Sequence, residues 1–594
     1  MDATAQRGQV VFTNKARCRD CYRCLRVCPV KAIRMHDGQA FVVEDRCISC
    51  GTCIRECPQK AKTFRNDVSV AARLLEDGGG PVAASIAPSF AGFFNEWQRR
   101  RLPSALRKLG FSHVAETAVG AYRVARRTEE IVAASPERSH ICTDCPAAVR
   151  YVERYRPELV DALTPVPSPM VAHASLIKSR LGRQARVVFI GPCVAKKAEA
   201  ERAQFAGLVD CVLTFTELAE WFEARGIALS GCEESDFDER PCGDARYFPL
   251  VGGEARTGTH RADSLDRKRI ATSGFEEFRE ALDGLAEGKT AVVIEPLFCP
   301  VGCINGPAMA CEAGVYQRRE RVLAYAAEAP GSTDAAVADA VTEARHVTAT
   351  FTADPLSDEA AVSEDDIRRV LEMTGKGQPE DQLNCGACGY PTCRSKAVAV
   401  VRGMAEPEMC LPYMKRQAER RTDRIIETSP NGIVILDEQL NILSMNPAFR
   451  RYFMSSEAVC GKRISYLMDP EPFERLAAGG ERMIEKTVRH ERYHMVCHEI
   501  LYALPEERQY VGIFINITRS LDNERKLDDL RAMTVMQSQE LLAHQIAMAQ
   551  KIAQFLGEST AQGQQLVENL MRLTEDVARK PAEKGSGWIW RTNT

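Results

Sequence analysis

Apolar and polar positions change their spacing several times along the chain, and each change predicts a different element. Short apolar runs of strand length, VVFIG at 187–191 and IEPLF at 294–298 among them, lead directly into Pro- and Cys-bearing turns and then into helix-forming stretches. The segment DIRRVLEMTG at 366–375 has the period of a short amphipathic helix, and YMKRQAERRTDRIIETSP at 413–430 reads as a charged one. Strands are predicted at Gly432–Leu436 and Ile442–Ser444 across an Asp-Glu-Gln turn, with a helix opening at Asn446-Pro447 and a last strand in YVGIFINITRS at 510–520. Beyond Arg519 the pattern is helical. Leu542, Ile546, Ala549, Ala553 and Leu556 recur at alternating steps of four and three, the seam of a coiled coil; after Gly557 an apolar stripe resumes at Leu566, Leu570 and Leu573. The seam predicts a parallel dimer, with an intrachain helical hairpin as the alternative.

Composition narrows the class. A length of 594 residues corresponds to about four domains. With 78 Lys and Arg against 81 Asp and Glu, and no long block of one sign, neither nucleic acid nor a membrane surface has an electrostatic reason to bind. No run reaches the ~18 apolar residues of a membrane span, and the opening MDATAQRGQVVF lacks a basic segment followed by an apolar core, so a cytoplasmic protein is expected. The 23 cysteines change the picture, because clustered thiols in such a chain predict metal ligation before disulfides.

The spacing C-x2-C-x2-C-x3-C-P occurs twice, at Cys18, Cys21, Cys24 and Cys28 and again at Cys47, Cys50, Cys53 and Cys57. In this pattern three close thiolates wrap one cubane while the fourth reaches the other, so Cys57 completes the first cluster and Cys28 the second. Zinc knuckles, the alternative, suit isolated C-x2-C pairs better than four thiolates plus Pro in duplicate. A third set is Cys385, Cys388, Cys393 and Cys410, where Gly386 and Gly389 let the backbone bend and a helix after Cys393 carries the chain to the last ligand, with zinc again as the alternative. A fourth set is dispersed: Cys145, Cys193, Cys299 and Cys303 each follow an apolar run and precede a Pro, a Gly or a helix-forming segment, so backbone N–H groups there face an anionic cluster.

These motifs carry resemblances. Residues 8 to 66 resemble the bacterial two-cluster 4Fe-4S ferredoxin domain, and the Cys385–Cys410 segment the small Fes-type 4Fe-4S domain found beside redox enzymes and corrinoid proteins. Residues 80 to about 345 resemble the catalytic domain of the iron-only (FeFe) hydrogenases. The family's first loop, typically TSCCP, stands as TDCP at Thr143 to Pro146; the second, PCxAKK, at Pro192 to Lys197; the third, CPxGCIN, at Cys299 to Asn305; and the upstream APS at Ala87 to Ser89. The resemblance implies that Cys145, Cys193, Cys299 and Cys303 bind a 4Fe-4S cubane, that Cys303 bridges it to a diiron unit with CO and CN ligands, and that Lys196 and Ser89 hydrogen-bond the cyanides.

The departures bear on activity. The family's proton-shuttling Cys is Asp144 here, Gly191 stands where Met is usual, and the carboxylate relay reads RVARRTEEIV, with Arg126 or Arg127 near one expected acid and Glu129 or Glu130 near the other. A fast hydrogen producer is not expected. Burial can raise an Asp from its usual pKa near 3.9 into a useful range, making Asp144 a catalytic acid and base; the competing reading is a cap on the helix that begins at Pro146.

The segment from 421 to 519 resembles a PAS sensor domain, with Asn516-Ile517-Thr518 fitting the family's strand end before an output helix. His494 and His498, with Cys497 nearby, are placed on one face of a strand and read as ordinary surface or core histidines, with a bound haem or metal as the alternative. Cys142, Cys211, Cys232, Cys242, Cys311, Cys460 and Cys497 are expected to be buried small apolar residues.

The whole reads as a multidomain α+β chain: a two-cluster ferredoxin domain at 1–78, an FeFe-hydrogenase-like α/β catalytic domain at 79–345, a linker and small 4Fe-4S domain at 346–420, a PAS domain at 421–519 and a helical coiled coil at 520–594. The resemblance, to FeFe hydrogenases of sensory type, implies four 4Fe-4S clusters and a diiron CO/CN H-cluster subsite. It implies H2 and protons as ligands, and a redox protein and a downstream signalling protein as partners of a homodimer. The leading expectation is a hydrogen or redox sensor of low hydrogenase activity. The alternatives are a competent hydrogenase passing electrons to ferredoxin-like partners and a non-catalytic iron-sulfur scaffold.

Overall fold

Strands buried on both faces pair best in parallel, because crossover helices then cover both sides of the sheet. In the computed structural model four such strands form one sheet, in the order His113–Glu116, Val82–Ile86, Arg186–Gly191 and Cys211–Thr214, all parallel. A second parallel sheet holds Arg269–Ser273, Val293–Leu297 and His140–Ile141. The structure describes residues 8–239, 241, 244–258, 268–288, 290–328, 348–356, 362–479, 481–556 and 571–572. They divide into two compact units, Met1–Lys415 and Arg416–Thr594.

In the first unit the larger sheet buries Ile86, Val188, Ile190 and Leu213 against Leu102, Leu106, Phe215 and Trp221 of flanking helices. The helices Ala118–Ala134 and Pro169–Leu181 run close together at Gly120, where a Cβ would lie 2.6 Å from the Pro169 carbonyl oxygen. Two short antiparallel pairs build the N-terminal module: Val11–Thr13 with Lys62–Phe64, and Ile33–His36 with Gln39–Val42. Its sequence duplication reappears in the backbone, since Asp20, Tyr22 and Lys31 adopt positive φ and so do their counterparts Ser49, Gly51 and Lys60. A second core joins this module to the rest of the unit and gathers Leu25, Ile33, Val149, Phe298, Tyr390 and Met409.

The helices expected near the third cysteine set form at Glu364–Met373, capped by Ser363, and at Cys393–Val401, capped by Thr392. The charged helix spans Leu411–Thr428.

The second unit carries a five-stranded antiparallel sheet ordered Ile442–Met445, Gly432–Leu436, Gln509–Asn516, Met495–Leu504 and Met483–His490. Asn446 caps the helix Pro447–Tyr452, accepting the Phe449 N–H, as its Asn-Pro signal predicts. A single helix then runs from Thr518 to Leu556. Of the seam, Leu542 and Ile546 are half-buried, while Gly557, Leu566, Leu570 and Leu573 lie outside the described residues, as does Cys242. Among the described residues no helix is long and apolar enough to cross a membrane.

Two expectations are corrected. His494 does not share a strand with His498: it is a left-handed residue at φ 49° that ends a tight turn before the strand Met495–Leu504, and His498 bonds Glu485 at 2.8 Å. The cysteines outside the four sets are not uniformly buried either. Cys142, Cys211, Cys232 and Cys497 are, but Cys311 is half-buried and Cys460 is exposed in a loop.

Candidate metal centre

Parallel strands end at one edge, and the loops that leave that edge form a natural crevice. Five such loops, from both parallel sheets, meet here around one cavity of about 90 Å³: Ala87 to Ser89 after Ile86, Thr117 after Glu116, Asp144 and Cys145 after Ile141, Pro192 and Cys193 after Gly191, and Cys303 beyond Leu297. Cys299 belongs to the last of these loops, and its thiol is pushed up by burial and by the charges of Cys193, Cys303 and Cys145. The four dispersed cysteines are thus brought together.

Their electrostatics point to a cation among them. Burial, and then the neighbouring thiols, push Cys193 up to about 12 and Cys303 higher still. Four thiolates this close and this dry repel one another unless a metal centre balances them. The protein already offers donors: the backbone N–H groups of Ala147 and Ala148 face Cys145, and those of Ala195 and Lys196 face Cys193. These come from the starts of the helices Pro146–Tyr155 and Ala195–Ala200.

Beside the thiols stand groups prepared for a further anionic ligand. Ser89 is 1% exposed and its hydroxyl has no hydrogen-bond partner, an expensive state for a buried polar atom. Lys196 donates from Nζ to the Asp144 carbonyl at 3.1 Å and to Glu199 Oε2 at 2.8 Å, and Glu199 also accepts from Ser168 Oγ at 3.0 Å. An orphaned hydroxyl, a buried ammonium and a cavity between them fit a diiron unit with cyanide ligands, which needs donors of this kind.

Asp144 does not cap the following helix. Cys145 occupies the cap position and no side chain caps there, so that competing reading fails. The Asp144 carboxyl faces that of Glu254 instead, and burial together with this second carboxyl holds it well above the usual carboxylate range. Two buried carboxyls facing one another are tolerable only with a shared proton. Cys142 and Thr128 are also close to the Glu254 carboxyl. Behind it, Glu295 accepts the N–H groups of Glu254 at 3.1 Å and Ala255 at 3.2 Å, and burial raises its pKa to about 7.

Sequence reasoning missed Glu254 and Glu295. The available signal was an acid inside the otherwise apolar strand VIEPL, whose five residues are all buried. The residues weighed for the relay are otherwise engaged: Arg126 pairs with Glu129 at 3.0 Å and Arg127 with Glu130 at 2.9 Å.

The other sets also assemble. In the N-terminal module the fourth cysteines match one another, Cys28 Sγ accepting the Ala32 N–H and Cys57 Sγ the Ala61 N–H, both at 3.2 Å. The Cys53 thiol is raised by burial and by Cys50, Cys28 and Cys47, while Cys24 responds to Cys18 and Cys21. The Cys28 thiol thus lies near those of the second repeat. Cys385, Cys388, Cys393 and Cys410 line a single cavity, joined by Lys396, whose Nζ donates to the Pro407 carbonyl at 2.7 Å.

Comparisons with known proteins agree with this division. Residues 80–307 match the family described as iron only hydrogenase large subunit, C-terminal domain; residues 10–58 match a 4Fe-4S dicluster domain, 381–412 an Fe-S cluster family and 420–484 a PAS domain. The chain is 26% identical over 369 residues to the NADP-reducing hydrogenase subunit HndD of Solidesulfovibrio fructosivorans, covering 52% of this chain and 59% of that protein. To the periplasmic Fe hydrogenase large subunit of Nitratidesulfovibrio vulgaris it is 29% identical over 374 residues, covering 52% and 89%. A shorter stretch of 145 residues is 30% identical to the cytosolic Fe-S cluster assembly factor NAR1 of Yarrowia lipolytica, covering 22% and 30%.

Proposed function

For this relative of the FeFe hydrogenases, an iron-sulfur protein with a hydrogenase-like domain and a PAS domain, we propose the role of a hydrogen or redox sensor that reacts slowly and reversibly with H2. The observation that carries the reading is a retained pocket with an altered proton exit. Ser89 and Lys196 keep donors at the cavity, whereas Asp144 replaces the family's thiol and faces the Glu254 carboxyl.

When bound, a diiron unit with CO and CN ligands supplies the centre at which H2 is split or formed. Cys303 would hold it to a cubane ligated by Cys145, Cys193 and Cys299, with Ser89 and Lys196 as hydrogen-bond donors. Asp144 holds a proton at its carboxyl, and Glu254 and Glu295 extend that proton store away from the cavity. Passage between facing buried carboxyls requires each to lose and regain a proton against burial, which favours slow turnover.

The Cys18–Cys57 and Cys385–Cys410 sets would carry electrons in three further cubanes. A redox protein would exchange them, and the PAS domain with a homodimeric coiled coil would pass the state to a signalling partner in the cytoplasm. Infrared spectroscopy of the maturated protein tests the reading together with dye-linked turnover: CO and CN bands with turnover orders of magnitude below that of a working hydrogenase are expected. Bands with full turnover would make it an enzyme proper.

A second reading, a non-catalytic iron-sulfur scaffold, is favoured by the likeness to the NAR1 assembly factor. It predicts no CO or CN bands after maturation.

A further inference from the structure

We infer that the set Cys28, Cys47, Cys50 and Cys53 is the hub of the electron chain, exchanging electrons on one side with the Cys145 centre and on the other with the Cys385–Cys410 centre. This rests on the reading of all four sets as cubanes.

On the first side the N-terminal module is pressed against the hydrogenase-like loops. A Cβ on Gly51 would lie 2.5 Å from Pro307 Cβ and 2.9 Å from Val194 Cγ2, and Val194 follows the ligand Cys193. Arg55 Nη1 donates to the Asn305 carbonyl at 3.4 Å, and the Cys50 thiol responds to the charge of Cys145.

On the second side the small 4Fe-4S module is interlocked with the first repeat and the hairpin that follows it, the residues on either side of Cys28. Arg26 donates to the Ala387 carbonyl at 3.2 Å, the Met35 N–H to the Met404 carbonyl at 3.2 Å, and the Asp37 N–H to Glu406 Oε1 at 2.8 Å. Gly389, at φ +92°, approaches so closely that a Cβ would sit 3.1 Å from Leu25 Cγ. Two side chains stand at this junction. Lys31, whose Nζ is fixed by the Leu25 and Arg26 carbonyls at 3.1 and 3.0 Å, responds to Cys28 and to Cys388. Tyr390, 6% exposed and with an unpartnered hydroxyl, is packed in one core with Leu25 and Cys28.

One cation held near two anionic clusters stabilises the reduced form of each, and an electron passing between them leaves one cubane oxidised by one electron and the other reduced by one, with no proton required. Cys410 immediately precedes the helix Leu411–Thr428, and in sequence that helix comes just before the rest of the segment that matches a PAS domain.

The test is electron paramagnetic resonance of the full chain, reconstituted and reduced without oxygen. Interaction-broadened, fast-relaxing signals are expected, and Cys385→Ala, which leaves the two N-terminal cubanes interacting with each other, should remove its own cluster together with the part of the broadening that this cluster adds to the N-terminal signal. Lys31→Met, which leaves every ligand in place, should shift the midpoint potentials of both the Cys28 set and the Cys385 set to more negative values. A wild-type spectrum that is the plain sum of independent clusters, or a Lys31→Met shift confined to one of them, overturns the hub. Iron analysis on the same samples reports the four-cluster reading separately, with about sixteen iron atoms expected before any diiron unit.

Discussion

Lys196 Nζ lies 2.8 Å from Glu199 Oε2, so the ammonium that points toward the cavity is anchored by a buried carboxylate behind it. The pair sets both the charge and the position of a donor for an anionic ligand. Lys196→Asn should lose cofactor retention, read as weakened CO and CN infrared bands after maturation, while the signals of the N-terminal clusters persist. Glu199→Gln should give a milder loss of the same bands, because the ammonium stays but its anchor weakens. Undiminished bands in both variants would remove Lys196 from the site.

Cys303 has a different expected signature. Its thiol senses Cys145, Cys193, Lys196 and Asp144 together, the position needed to belong to a cubane and to face the cavity. Cys303→Ser should abolish the CO and CN bands and leave both N-terminal clusters intact in iron content and resonance spectra. Bands of normal strength in that variant would mean that another residue joins the diiron unit.

The buried Glu295 predicts a pH dependence of stability. Its carboxyl titrates near 7 in the folded protein, against an ordinary value of 4.5, because burial penalises the charged form. A raised folded pKa means that this contribution to stability is fully present below about 4.5 and is lost as pH rises through about 7, on the order of 3 kcal/mol in all. Thermal melts of the wild type and Glu295→Gln between pH 5 and 8 should therefore converge at the acid end and separate toward the alkaline end, with the wild type falling further. Parallel curves would mean that Glu295 is not held neutral.

Patterning in the sequence foretold much of this, for reasons that differ from part to part. The duplicated cysteine spacing is local and rigid, so it predicted the repeat that reappears in the backbone, and the Asn446-Pro447 signal found its helix because a cap acts within one turn. Cys145, Cys193, Cys299 and Cys303 were found through loop motifs, since nothing in their separation tells that two different sheets bring them to one cavity. Glu254 escaped because its significance is tertiary, and Glu295, though signalled by an acid in the apolar run VIEPL, shows what that signal means only once burial places it near Asp144. His494 was misplaced for the opposite reason, as strand alternation was extended one residue past a left-handed turn that Arg492 and Tyr493 do not announce.

Asp144 is where the proposed activity is decided. With the helix-cap reading removed by Cys145 in the cap position, what remains is a carboxyl lining the cavity and facing Glu254. If it moves protons, Asp144→Ala should lower dye-linked hydrogen oxidation per infrared-visible cofactor by ~10²-fold, the scale of a lost general acid or base. Asp144→Cys should preserve or raise that rate by restoring the thiol found in the hydrogenase family. Glu254→Gln should slow it as well, since an amide keeps the shape of the partner but cannot pass the proton on. Each rate is to be normalised to cofactor, because removing one carboxyl of a buried pair also changes stability. An unchanged normalised rate in both Asp144→Ala and Glu254→Gln would rule out this exit and send the proton through water or through Glu129 and Glu130, whose pairing with Arg126 and Arg127 would then have to open during turnover.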